Sequence, residues 1–276
     1  MGKSARERDG HEAARGRDER DRHEAARGRD ERGRAVTPPD PGAAAAGVGA
    51  SAGVAAGGSP AQAELRHADR WVVVVPVKPS ARAKSRLEVD GVDRAGLARA
   101  IALDTLAAVS ACELVVQVVV VTEDAALARE AAVIPALRFV PEGEARGLDA
   151  AVATGMAAVD PNGRLPRAAL LGDLPALRPA DLAEALRAAA SVDRAVVADA
   201  EGTGSTLVTS RAEVPWSSSF GDGSFARHTA AGCTPLEIPD ASTLRRDVDT
   251  AEQLDAAVRL GVGPWTTGVL ASVPGR

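Results

Sequence analysis

The sequence predicts one α/β domain, a mostly parallel sheet with helices on both faces, preceded by a long tail of low complexity. Three observations carry that prediction. Short β-branched runs alternate with helical stretches from Trp71 onward. The first run, WVVVVPV, is apolar almost throughout, as in strands buried on both faces. Hydrophobic residues make up 45% of the chain and aromatics 2%, with no Tyr, so the core must be built from Val, Leu, Ala and Ile, which suits layered α/β architecture.

The tail has its own logic. Residues 11–22, HEAARGRDERDR, return at 23–34 as HEAARGRDERGR. Mixed charges there leave little to bury, and residues 35–63 turn to Ala, Gly, Pro and Ser, the composition of a flexible linker. Residues 1–65 are therefore expected to be disordered, with the folded domain over 66–276. A dispensable extension is favoured over a regulatory role for this tail.

Within the domain, a central strand is expected at 71–77 and a helix at about 93–109. VVQVVVVT at 115–122 repeats the buried-strand signal and DAALAREAAV at 124–133 repeats the helical one. LRFV at 137–140 reads as a short strand, 148–159 as a helix and AALLG at 168–172 as a strand, after which Pro179 opens a helix. RAVVAD at 194–199, STLVTS at 205–210 and PLEI at 235–238 complete the strands, and short helices are expected at 224–231 and 250–259. Parallel strands linked by helices need right-handed crossovers, and ligands bind beyond the carboxyl ends of such strands. Attention falls on the segments after Val77, Val121, Val140, Leu171 and Ala198.

Several function classes lose support at this level. A net charge of −5 gives no footprint for nucleic acid. The absence of an 18-residue apolar run and the charged N-terminus predict neither a membrane span nor export, hence a cytoplasmic protein. Cys112 and Cys233 match neither metal nor disulfide spacing and read as idle thiols. There is no GxxxxGK[ST], no GxGxxG, no zinc spacing and no Ser-His-Asp order.

What remains is a set of polar segments at the expected ligand edge. PVKPSARAKSRL, residues 76–87, follows the first strand with Lys78, Arg82, Lys84 and Arg86, cations suited to a polyphosphate or equally a solvated basic loop. In LLGDLPAL, Asp173 follows a buried strand and is placed to hold Mg²⁺, or else to cap the next helix. In RRDVDT, Asp247 and Asp249 form an i, i+2 pair that could share that metal, although a helix cap at Asp249 or Thr250 is the simpler reading of this motif alone.

Two further segments suit an anion. GTGST, residues 202–206, offers small residues and hydroxyls, as a cradle or as a plain turn. FGDGSFARH, residues 220–228, puts Ser224 at a helix start, as an anion donor or a cap, with His228 read as a donor behind the ligand groups in preference to a catalytic base. Asp149 in GLDAAV opens a helix near the same edge; it could touch a nucleotide, and capping is its simpler explanation.

In order, PVK with KSRL, GLDAAV, LLGDLPAL, GTGST, FGDGSFARH and DVDT resemble the 2-phospho-L-lactate guanylyltransferase family of coenzyme F-420 biosynthesis over residues 70–263. The resemblance implies a nucleotide-diphospho-sugar transferase fold. It further implies transfer of a guanylyl group from GTP to a small phosphorylated acid, phosphoenolpyruvate being preferred over 2-phospho-L-lactate or 3-phosphoglycerate. The acid would contact Ser205, where the family usually has Thr, with Gly221 and Ser224. The nucleotide would lie against Lys78, Lys84, Arg86 and Asp149, the last standing where relatives often carry Asn. Mg²⁺ would sit on Asp173, Asp249 and Asp247, and Asp173, Lys78 and Lys84 would carry the chemistry. A homodimer and a hand-off of product to the next pathway enzyme are compatible with this picture. Related nucleotidyltransferases carry GGxSxRMG after the first strand, which PVKPSARAKSRL does not match; a non-catalytic nucleotide-binding protein of the same fold is the competing class.

Overall fold

The computed structural model describes residues 70–272 apart from 81–83, 85, 145 and 160–161. The expected disordered segment, 1–65, lies outside the described residues, as does Arg82. Strands β1 (Trp71–Pro76), β2 (Val115–Val121), β3 (Leu137–Val140), β4 (Arg167–Leu170), β5 (Arg194–Ala198), β6 (Ser205–Ser210) and β7 (Thr234–Pro235) form one sheet in the order β3-β2-β1-β4-β6-β5-β7. Helices α1 (Arg94–Ser110), α2 (Ala125–Glu130), α3 (Leu148–Val159), α4 (Pro179–Ala189), α5 (Ser224–Ala230), α6 (Ala251–Leu260) and α7 (Pro264–Ala271) surround it.

The central strands are buried on both faces, and their period of two sorts side chains into two layers. Trp71, Val73 and Val75 of β1 join Val118 and Val120 of β2 in the core that includes α1 and α4 residues. Val72, Val74, Val119 and Val121 face the opposite way, onto Val152 and Met156 of α3. That second layer is thin because of Gly155: a Cβ there would stand 2.5 Å from Val74 Cγ1 and 2.8 Å from Val121 Cγ2. Only a residue without one lets the helix approach so closely.

Helix α1 is apolar around most of its circumference because both sides are covered. Its inner face joins the sheet, while Leu97 and Ile101 enter a third cluster with Leu87, Ala176, Val248, Leu254 and Ala257. Helix α7, which the sequence pattern does not predict, packs on α1. Its start is capped from a distance, since the buried Asp104 carboxylate on α1 accepts hydrogen bonds from the Trp265 and Thr266 amides.

Two other differences have local causes. The sheet is mostly parallel as expected, but strand β6, whose direction the sequence did not specify, runs antiparallel to both β4 and β5. The connection from β5 to β6 spans only residues 199–204, too short for a crossover and long enough for a turn. The last strand covers Thr234–Pro235 in place of the expected 235–238, because after the Leu236 amide has paired with the Val196 carbonyl the Ile238 amide turns back onto the Leu236 carbonyl at 3.0 Å in place of a partner on β5.

Candidate active site

A cavity of about 460 Å³ opens where β1, β4 and β5 end and β6 begins. Reversal of β6 is what brings Ser205, its first residue, to the edge where the parallel strands finish. From the expected set, Lys78, Lys84, Arg86, Asp173, Ser205, Gly221, Ser224, Asp247 and Asp249 all line this cavity.

The GDLP turn owes its tightness to Gly172, where a Cβ would meet Val77 Cγ2 at 2.9 Å and the Pro76 carbonyl oxygen at 3.2 Å. The turn is tied to α1 by the Leu174 amide, which donates to Thr105 Oγ1 at 2.9 Å. Helix α4 begins after Arg178 with no side-chain cap, so Asp173 is not its cap. In the second acidic segment, Thr250 and Gln253 form a capping box at the start of α6, which leaves the Asp249 carboxylate free of that task. Val248 is buried between the two aspartates, and its amide donates to the Asp173 carbonyl at 3.0 Å, locking the two acidic loops together.

Lys84 behaves differently from the free cation expected of a polyphosphate loop. Its ammonium lies 2.5 Å from Asp173 Oδ2 and 2.9 Å from Asp249 Oδ1. Burial opposes its charge, but the two carboxylates outweigh that and raise its pKa. Lys78 and Arg86, both exposed, stand at the cavity wall.

Asp247 is pushed to a pKa of about 8 by desolvation, then by the negative charges of Asp173, Asp199 and Asp249. Asp173 Oδ1 and Asp247 Oδ1 are buried without a hydrogen-bond partner. Orphaned carboxylate oxygens among like charges have the chemistry of a hard-cation site. Asp247 also approaches Asp199 and Glu201, the three carboxylates offering oxygens within 4.8 Å of one another.

Asp199 was not singled out from sequence, although it follows a buried strand just as Asp173 does. Its carboxylate accepts from the Thr203 amide at 2.9 Å and the Gly204 amide at 2.6 Å, shaping the GTGS segment into the β5–β6 turn. A Cβ on Gly204 would stand 2.3 Å from Asp199 Oδ2, so any larger residue there must displace that carboxylate. The segment is thus both a turn and a cavity wall.

Ser224 is the first residue of α5, and the cap position is Gly223 at φ 69°. Its hydroxyl instead meets Ser205 Oγ at 3.3 Å, and Ser205 Oγ lies 3.0 Å from His228 Nδ1. Asp149, for which a nucleotide contact or a helix cap was expected, makes supporting contacts. Its carboxylate accepts from Ser218 Oγ at 2.8 Å and from the Phe220 amide at 3.0 Å, holding the loop before α5, and it is not part of the cavity wall.

Residues 71–273 match the family model described as guanylyl transferase CofC like. The chain is 48% identical to a phosphoenolpyruvate guanylyltransferase of Thermomonospora curvata over 208 residues, covering 74% of this chain and 90% of that protein. It is 47% identical to the protein of the same name from Streptomyces scabiei over 216 residues, 75% of this chain and 100% of the other. In three dimensions it resembles a nucleotide-diphospho-sugar transferase of Desulfovibrio desulfuricans, with a TM-score of 0.56 at 18% identity over 73% of this chain and 94% of that one. That likeness bears on the fold alone.

Proposed function

The chain belongs to the CofC-like guanylyl transferase family, and from that premise we propose that it joins GTP to phosphoenolpyruvate, giving enolpyruvyl-diphospho-5′-guanosine and pyrophosphate in coenzyme F-420 biosynthesis. The observation that carries the proposal is the shared cavity. The carboxylates of Asp173, Asp247 and Asp249, the exposed cations Lys78 and Arg86 and the buried serine hydroxyls of Ser205 and Ser224 converge on a space of about 460 Å³.

In this reading a phosphate oxygen of the acid attacks the α-phosphorus of GTP, and the bond to the β-phosphate breaks with pyrophosphate leaving. Asp173, Asp247 and Asp249 would hold a divalent cation, Mg²⁺ in this proposal, which when bound neutralises charge on the phosphates. Lys78 and Arg86 attract the triphosphate at the cavity mouth, while Ser205, Gly221 and Ser224 seat the acid. Lys84 holds the Asp173 and Asp249 side chains in place. Catalysis is then positioning and charge neutralisation without a covalent enzyme intermediate.

Among the described residues no helix is long and apolar enough to cross a membrane; the proposal places the reaction in the cytoplasm. The proposal keeps a homodimer and a hand-off of product to the next enzyme, both open to sedimentation and to product trapping. The decisive experiment incubates the protein with GTP, Mg²⁺ and, separately, phosphoenolpyruvate, 2-phospho-L-lactate or 3-phosphoglycerate. Pyrophosphate release with phosphoenolpyruvate alone is expected; release with another acid reassigns the substrate, and none with any acid refutes the reaction.

A further inference from the structure

The two buried serines at the cavity have a polarity that follows from the histidine behind them. His228 is 1% exposed, and its ring is flanked by Phe220, edge to face at a centroid distance of 5.1 Å. The Ser219 amide lies 2.8 Å from His228 Nε2 and can only donate, so Nε2 must offer its lone pair. Neutral imidazole carries one proton, which therefore sits on Nδ1 and is donated to Ser205 Oγ, 3.0 Å away. Burial, the largest influence, and the nearby Arg227 lower the imidazole pKa against the opposing pull of Asp149, so the neutral form prevails at pH 7.

A count of protons then decides the outcome. Ser205 and Ser224 together own two hydroxyl protons, and the Ser224–Ser205 hydrogen bond uses one. Nδ1 cannot take the other, because it is already protonated. Whichever serine donates to its neighbour, one hydroxyl proton is left over, and both serines line the cavity. With the opposite tautomer Nδ1 would absorb that proton, and Nε2–H would confront the Ser219 N–H.

We propose that His228 is a positioning residue whose Nδ1–H tautomer, fixed by the Ser219 amide, makes the Ser205–Ser224 pair an obligate donor toward an anionic oxygen in the cavity. The inference rests on the functional reading only in taking that anion to be the phosphate or carboxylate of the acid. It also explains why a buried histidine stands behind the hydroxyls: it supplies direction to their protons without touching the reacting atoms.

The test has two readouts. Long-range proton–nitrogen spectra of full-length protein labelled with ¹⁵N-histidine, with His228→Gln to assign the signal, should show Nδ1 protonated and Nε2 bare at neutral pH; a protonated Nε2 overturns the inference, whether or not the protein releases pyrophosphate. In kinetics, His228→Glu can accept from the Ser219 amide and also from Ser205 Oγ, drawing the hydroxyl proton inward, so KM for the acid should rise roughly tenfold with KM for GTP unchanged. His228→Gln, whose amide can still donate to Ser205, should largely preserve both. For His228→Glu, an equal rise in both constants, or in neither, also overturns it. Failure of the wild-type protein to release pyrophosphate with any acid would instead sink the functional reading and leave the spectra to decide the tautomer.

Discussion

Lys84 Nζ lies 2.5 Å from Asp173 Oδ2 and reaches Asp249 as well, so a cation on the first loop joins two acidic loops that are far apart in sequence. Lys84→Met should leave two carboxylates facing each other. Breaking a buried pair costs about 3–5 kcal/mol, and because Asp249 is half exposed the expected loss is nearer about 2 kcal/mol. Urea unfolding checks this, and added Mg²⁺ should recover part of the loss, whereas no recovery would speak against a cation site at these carboxylates.

The raised pKa of Asp247 gives a pH signature. Its folded value of about 8 lies above the ordinary 3.8, so the folded state holds a proton that the unfolded chain releases. Stability is therefore fully present below about pH 4 in respect of this group and is lost as pH rises through about 8. A bound divalent cation replaces the proton. Thermal melts should show a larger Mg²⁺-induced rise in Tm at pH 8.5 than at pH 6, and Asp247→Asn should flatten that difference.

Gly204→Ala tests the β5–β6 turn. The added methyl would stand 2.3 Å from Asp199 Oδ2, so the carboxylate must shift away from the Thr203 and Gly204 amides that it holds. A loss of about 1–3 kcal/mol is expected, with KM for the acid rising more than KM for GTP because the displaced segment leads into Ser205. Unchanged stability would mean that the turn tolerates a wider opening than its geometry suggests.

Asp149→Ala separates the two roles that its position allows. With its carboxylate holding Ser218 and the Phe220 amide, the change should loosen the loop that carries Gly221 and raise KM for the acid. A rise confined to KM for GTP would support the nucleotide contact that the family resemblance implies.

The strands of the central sheet were legible because Val-rich runs such as 71–77 and 115–122 have one sensible fate, burial between two layers of helix. Asp173 was legible too, as a lone carboxylate after such a run. Asp199 has the same placement and was passed over, because its work is done for amides four and five residues on, a local turn geometry that residue types do not display. The direction of β6 was hidden for a similar reason: its composition suits either orientation, and only the brevity of residues 199–204 excludes a crossover. Helix α7 was invisible because its cap, Asp104, stands 161 positions before Trp265. The same holds for Lys84, whose partners are 89 and 165 positions away.

That remote cap also orders events during synthesis. Leu97 and Ile101 of α1 are covered by Val248, Leu254 and Ala257, and α7 is latched onto the same helix through Asp104. A chain emerging from the ribosome N-terminus first can assemble β1, α1 and β2 early, yet the outward face of α1 stays bare until the final quarter has been made. Apolar surface left open for that interval is where a nascent chain sticks to its neighbours or recruits a chaperone. Ribosome-stalled chains ending before residue 245 should therefore be chaperone clients, and completion of the last two helices should release them.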